Sequence, residues 1–210
     1  MLAGRCGPEA NFVLYADGTL YICGEGATWD YVTTGQSYLP NLSWKNRPWG
    51  NQNNPTSQKI KKIIIGKDIT TIGVFSFQHC YNVKAVEFEE GSKLFEIKRF
   101  AFHYLNNVTS IELPDCISII GDSAFGYLRS LQTIRMPELV TSIHAAAFNQ
   151  TNAALKMNVV EGTAAEEFAK AKNYAYETRE AIYKPTDISP SDALIAEGTC
   201  GENATWKLYK

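Results

Sequence analysis

Read from its periodicity, this 210-residue chain is an α/β solenoid: a right-handed stack of about four to five repeats of 23–25 residues, opened by a β-hairpin module and closed by a short helix. Three observations carry that expectation. Phenylalanine recurs at Phe77, Phe102, Phe125 and Phe148, in steps of 25, 23 and 23 residues. An isoleucine stands five positions before each, at Ile72, Ile97, Ile120 and Ile143. Nine residues after each comes an apolar residue that opens a strand-like triplet, at Val86, Ile111, Ile134 and Met157. A unit of this length cannot bury its apolar face alone, so neighbouring units must stack.

The elements follow in chain order. Phe12–Leu14 and Leu20–Ile22 alternate around Asp17-Gly18, the signal of a β-hairpin. Residues 24–58 are rich in Gly, Asn, Pro and aromatics and read as a long irregular connection ending in the Pro48-Trp49 turn. Residues 1–58 therefore form an N-terminal β-rich module. Repeats then run from Ile60 to Asn82, Val83 to Asn107, Val108 to Ser130 and Leu131 to Ala153, within a solenoid over 59–176. Their triplets (Ile63-Ile64-Ile65, Val86-Glu87-Phe88, Ile111-Glu112-Leu113, Ile134-Arg135-Met136) have the period of a half-buried strand. Ile64, Glu87, Glu112 and Arg135 should point outward and are the candidate partner-binding column. The second repeat carries two extra residues, located in the turn-like stretch Glu89–Lys93. The phenylalanines, each in a short helical or turn segment, should stack as a buried aromatic ladder with the four isoleucines beside them. Thr163-Ala164-Ala165-Glu166 fits a capping box, and Ala165, Phe168, Ala169 and Lys172 follow at helical spacing, so residues 163–173 read as a capping helix.

The tail repeats the head. Residues 198–210, GTCGENATWKLYK, align with residues 4–16, GRCGPEANFVLYA, at an offset of 194. Cys-Gly, an aromatic and a leucine recur in step. Residues 198–210 read as the start of a second N-terminal-type module, and 177–197, with Pro185 and Pro190, as a linker. The expectation is a fragment or the end of an array.

The period is that of leucine-rich repeats. More narrowly, Val108–Pro114 followed by Ile117-Ser118-Ile119-Ile120-Gly121-Asp122-Ser123-Ala124-Phe125 resembles the BspA-like leucine-rich repeat, and Cys80 stands at that family's cysteine position. The opening Cys6-Gly7, with Asp17-Gly18-Thr19-Leu20 and Gly24-Glu25-Gly26, is similar to the β-rich module that often precedes such repeats. Cys23 stands where a serine is usual, and His144 where a glycine is. The resemblance implies a secreted or cell-surface protein of a host-associated microbe, one that adheres to extracellular-matrix proteins or to other cells.

Composition narrows the remaining classes. Net charge is −2, which gives no electrostatic footprint for nucleic acid. No apolar run is long enough to span a bilayer, and residues 1–30 lack a signal-peptide pattern. His79, His103 and His144 fall in three repeats and, with Tyr104, Tyr127 and Gln150, suggest a solvated ridge rather than a metal site. Neither a catalytic motif nor a cofactor is implied. The five cysteines include no C-x-x-C pair; Cys80 and Cys116 fall at small core slots of the repeat. Cys6 and Cys23 flank the hairpin, either as a disulfide in an oxidising compartment or as two thiols. Two functions stand. One is a non-catalytic surface module that binds a protein partner. The other is a carbohydrate-recognition or spacer module of a larger secreted enzyme, with Trp29, Trp44 and Trp49 as stacking platforms. Against that second reading, large aromatics more often pack a cap.

Overall fold

The structure, a computed structural model, describes residues 1–32, 47–50, 55–182, 194–199 and 205–209. Contacts divide the chain into two units, Met1–Glu180 and Ala181–Lys210. The first is the solenoid.

Its front face begins with β1 (Leu2–Arg5), β2 (Ala10–Leu14) and β3 (Thr19–Gly24), an antiparallel meander. The β2–β3 turn needs Gly18, whose φ is +95°, and Asp17 Oδ1 accepts the Thr19 N–H at 2.8 Å. From β3 onward pairing becomes parallel, to β5 (Lys62–Ile65) and then β7 (Ala85–Phe88). The hairpin module is thus the first part of the solenoid's own sheet, in register through Leu20↔Ile63 and Ile63↔Val86. Beside β7 lies a second parallel sheet of β9 (Ser110–Glu112), β11 (Thr133–Arg135), β13 (Lys156–Val160) and β14 (Ala175–Arg179).

The back face is a ladder of five short parallel strands, one per turn of the coil: β4 (Gly26–Ala27), β6 (Ile69–Ile72), β8 (Glu96–Ile97), β10 (Ile119–Ile120) and β12 (Ser142–Ile143). The periodic isoleucines close four of these strands. Ile72, Ile97 and Ile120 are fully buried, and Ile143 is half-buried against the core. The insertion at Glu89–Lys93 does not disturb register: Ile63↔Val86 precedes it and Ile72↔Ile97 follows it. The loop is tied back through Glu89, which accepts hydrogen bonds from the Tyr21 hydroxyl and the Lys67 N–H, each at 2.9 Å.

The third side is made of turns, and here the backbone departs from expectation. Residues two before and two after the ladder phenylalanine have positive φ without being glycine: Phe75 and His79, Phe100 and Tyr104, Ser123 and Tyr127, and Gln150. Such a conformation costs an L-residue about 1–2 kcal/mol. It also turns alternate N–H groups to the same side. Phe75, Phe77 and His79 donate to the carbonyls of Arg99, Ala101 and His103 at 3.2, 2.7 and 3.0 Å. Phe100, Phe102 and Tyr104 repeat this one turn on, to Asp122, Ala124 and Gly126. These two turns each stack on the next through three backbone bonds, and the Phe125 turn through two, to Ala147 and Asn149, which offset the strain.

Inside, the phenylalanines stack at centroid distances of 5.1 Å (Phe77–Phe102), 5.5 Å (Phe102–Phe125) and 5.2 Å (Phe125–Phe148). All four are buried. Each contributes about 2–3 kcal/mol through burial. The ladder extends beyond the expected four rungs. Trp49 lies flat on Phe77 at 5.5 Å, with Phe12 and Tyr31 at its edges. At the other end Phe168 and Tyr174 close on Phe148.

Several expectations need correcting. Residues 24–58 include strand β4 and a short helix α1 (Pro55–Lys59); residues 33–46 and 51–54 of that connection lie outside the described residues. A linker beginning at residue 177 is displaced by β14, whose five residues pair with β13. Its sequence, AYETR, carries no apolar alternation because its side chains are almost all exposed. The capping helix is present as α2 (Ala164–Ala171), but the capping box does not form. Thr163 Oγ1 donates to the Val160 carbonyl at 2.7 Å instead of accepting from the helix, and Glu166 accepts from Gly162 N–H at 2.9 Å. Cys116 is half-buried rather than a core residue, its thiol 3.0 Å from the Ser92 carbonyl.

The second unit contains one antiparallel hairpin, β15 (Leu194–Thr199) and β16 (Thr205–Tyr209).

Candidate interaction surfaces

The front face was the expected binding column. Ile64 is half-buried and Glu87 and Glu112 are exposed, as outward positions of a strand require. Yet its charges are largely spent on one another. Lys62 Nζ lies 2.6 Å from Glu87 Oε2 on the neighbouring strand. Lys156 pairs with Glu177, which also accepts from Asn158 Nδ2 at 3.2 Å. Arg135 is not a free cation. It pairs with Asp115 and donates to the Leu113 carbonyl at 2.9 Å. Arg179 of β14 reaches Asp115 Oδ1 at 2.7 Å and the Met136 carbonyl at 3.1 Å, with Glu138 at 3.8 Å. The side chains of Asp115, Arg179 and Glu138 are only 11%, 14% and 7% exposed. Burial alone would raise the Asp115 pKa; hydrogen bonds from Arg135 and the Glu138 N–H, with both arginine charges, more than offset it and hold the carboxyl low. This cluster clamps the last strand onto the third and fourth repeats.

The tryptophans behave as cap residues. Trp49 is fully buried and donates from Nε1 to the Ser76 carbonyl at 3.0 Å. Its neighbour Arg47, also buried, donates to the Phe75 carbonyl at 2.8 Å and to Ser76 at 3.3 Å. The polarity of the turn ladder explains this. Each turn donates N–H groups forward, so the carbonyls of the first turn face the N-terminal end; Val74 there accepts from the Tyr31 N–H at 2.8 Å, and Phe75 and Ser76 are left for side-chain donors. Arg47 and Trp49 supply the missing donors. Trp29 is partly buried against the core. Trp44 lies outside the described residues. A sequence signal for Trp49 existed: it is an aromatic 28 residues before Phe77, outside the 23–25 residue period.

The turn edge, a solvated ridge by sequence, is more apolar than that in the structure. Here His79, Tyr104 and Tyr127 are half-buried and form a second ring ladder outside the core, with centroids 4.8 and 4.5 Å apart. Tyr81 joins His79 at 5.4 Å, and the Arg129 guanidinium sits 5.7 Å over Tyr127. On the other side of the core ladder Phe75 and Phe100 stack at 5.1 Å, both under Arg99. His103 is buried among Phe100, Tyr104 and Tyr127, against the expectation of exposure. Burial holds both His79 and His103 down to about 4, helped by the Arg47 charge at His79 and by His79 at His103. Both imidazoles are neutral at neutral pH. The ridge is aromatic, and the cations on it are arginines.

Other chemistry is sparse. Cys6, Cys23, Cys80 and Cys116 are free thiols, and burial pushes Cys6 up to about 12 and Cys80 to about 11. The Cys6–Cys23 disulfide is not formed in the structure. Among the described residues no cluster of His, Cys, Asp and Glu could hold a metal ion, and no helix is long and apolar enough to cross a membrane. A shallow groove at the start of the back sheet is lined by Glu9, Glu25 and Asp68, with Lys93 2.7 Å from Asp68.

The profile of the "BspA type Leucine rich repeat region" matches residues 54–180 in six copies. The chain belongs to this family. Six copies accord with a coil that begins before Ile60 and ends beyond Ala153, as β4 and β14 show. A leucine-rich repeat protein from Eubacterium ventriosum is similar at 23% identity and a TM-score of 0.52, covering 76% of this chain and 44% of its own. The leucine-rich repeat protein of T. pallidum, TpLRR, is 21% identical with a TM-score of 0.46, over 71% of this chain and 68% of its own. At such identities the likeness to the Eubacterium protein shows the fold alone, and the chain spans less than half that protein's length. No curated protein matches.

Proposed function

We propose that this BspA-type repeat protein is a non-catalytic binding module that contacts a protein partner through its turn edge. The observation that carries the reading is the external ring ladder of His79, Tyr104 and Tyr127, with Tyr81 and Arg129 beside it. Tyrosine and arginine are the residues enriched at interface cores, whereas lysine and glutamate, which dominate the front face, are depleted there. Rings held by stacking and by a bonded backbone lose little freedom on binding, which lowers the cost of association. The resemblance to BspA-like proteins supports a secreted or cell-surface location and an extracellular-matrix protein or another cell's surface protein as partner. The carbohydrate alternative has lost its support from Trp49 and Trp29, which pack the N-terminal end of the core.

The test is a binding screen of the purified chain against immobilised matrix proteins and, in parallel, a glycan panel. Saturable binding to a protein, lost in a Tyr104→Ser/Tyr127→Ser variant that still folds, is the expected result. Binding confined to glycans would overturn the reading.

A further inference from the structure

The hairpin β15–β16 has the register of the hairpin that opens the solenoid. In β1–β2 the paired residues are Arg5↔Asn11, Gly4↔Phe12, Ala3↔Val13 and Leu2↔Leu14. In β15–β16 they are Thr199↔Thr205, Gly198↔Trp206, Glu197↔Lys207 and Ala196↔Leu208. Adding the sequence offset of 194 to every residue of the first set reproduces the second.

Burial in the head explains which residues recur. Within residues 4–16 the buried positions are Cys6, Gly7, Ala10, Phe12 and Leu14. The sequence has Cys200, Gly201, Ala204, Trp206 and Leu208 at the matching places: four identities and one aromatic for another. The differences gather at exposed places, such as Arg5 against Thr199 and Glu9 against Asn203. Two of the retained features answer to elements that lie outside the hairpin. A Cβ at Gly7 would stand 2.1 Å from the Ala27 carbonyl oxygen of β4, so the glycine is demanded by a strand of the first back-sheet rung. Phe12 packs on Trp49. A two-stranded hairpin by itself has no use for either, nor for a row of alternating apolar residues.

We infer that residues 194–210 are the opening hairpin of a second module of this kind, and that β16 is the landing edge for a segment of the β3–β4 type. That segment is an apolar-alternating strand, as in Thr19–Gly24, followed by a close-approaching pair, as in Gly26–Ala27. The contact adds a strand to a sheet edge, with the alternating positions of β16 setting the register.

The test exchanges head and tail. In the full chain, residues 4–16 are replaced by the sequence of 198–210, and thermal unfolding is compared with the parent. A second chimera carries phenylalanine in place of the transplanted tryptophan, which separates the fit of the larger ring at the Phe12 site from the fit of the rest of the hairpin. A third carries aspartate at the places of Ala204 and Leu208 and marks the level reached without a working hairpin. The expected result is a melting temperature within about 5 °C of the parent for at least one of the first two, with the third far below. If the first two both fall to the level of the third, the tail is not a module head and the inference is overturned.

Discussion

On the front face of the solenoid charged side chains pair across neighbouring strands; on the turn edge aromatic side chains stack across neighbouring turns. The two surfaces belong to the same repeats and are separated by one layer of core. The front pairs, Lys62–Glu87 and Lys156–Glu177, are exposed ion pairs of the kind that contribute little to stability and leave little charge for a partner. The turn edge holds its rings on a backbone with positive φ at His79, Tyr104 and Tyr127, a costly conformation kept because two or three backbone bonds per turn depend on it. Stacking repeats therefore neutralises one surface and builds up the other. An outward-facing residue type is a poor guide to binding until its neighbours one repeat away are known.

The largest expected effect lies beneath both surfaces. Phe125→Ala, or Trp49→Ala at the end of the same ladder, should cost about 3–5 kcal/mol in a urea titration. A loss near 1 kcal/mol at Trp49 would mean that the N-terminal end is not closed by that ring. Next comes the front-face cluster. Asp115→Ala leaves Arg135 and Arg179 without their shared carboxylate and should cost about 1.5–3 kcal/mol, the range of charge-assisted hydrogen bonds. Hydrogen exchange should then show β14 opening before the rest of the sheet.

Acid separates the two surfaces in a third way. His79 and His103 titrate near 4 in the folded chain, against about 6.5 for an ordinary imidazole. The unfolded chain therefore takes up protons first. Stability is undiminished above about pH 6.5 and falls as pH is lowered towards 4. Asp115, whose folded pKa is depressed, adds a loss only at lower pH, as its own carboxyl protonates. Urea midpoints at pH 7, 5.5 and 4 should show the decline, and His103→Gln should flatten it. An unchanged slope would remove the buried imidazole from the account. The smallest effect is expected at Glu87→Gln, below about 1 kcal/mol and smaller still in high salt.

The contrast also bears on what could be read from the residues alone. The ladder was readable because burial forces one residue type into one slot of every repeat, as at Phe77 to Phe148. Trp49 was readable as a cap residue but not as a rung, because it arrives through a connection with a different spacing; Arg47 escaped because a buried arginine makes sense only once the Phe75 and Ser76 carbonyls are seen to face the N-terminal end. β14 escaped because backbone bonds to β13 and the polar contacts of Glu177 and Arg179 hold it, so Ala175–Arg179 needs no apolar pattern. Arg135 looked free because its partner, Asp115, is 20 residues away and, like Arg179, which shares that carboxylate, meets it only when the strands stack. The left-handed aromatics were least readable of all: sequence rules place glycine at such positions, and here inter-turn bonding overrides them.

One comparison tests the central claim most directly: the affinity of a partner found in the screen for two folded variants, Tyr104→Ser/Tyr127→Ser on the turn edge and Glu87→Ala/Glu112→Ala on the front face. The account predicts a loss of about thirtyfold or more for the first, as for a hot-spot pair, and less than about threefold for the second. The reverse ordering would place the contact on the strands and contradict it.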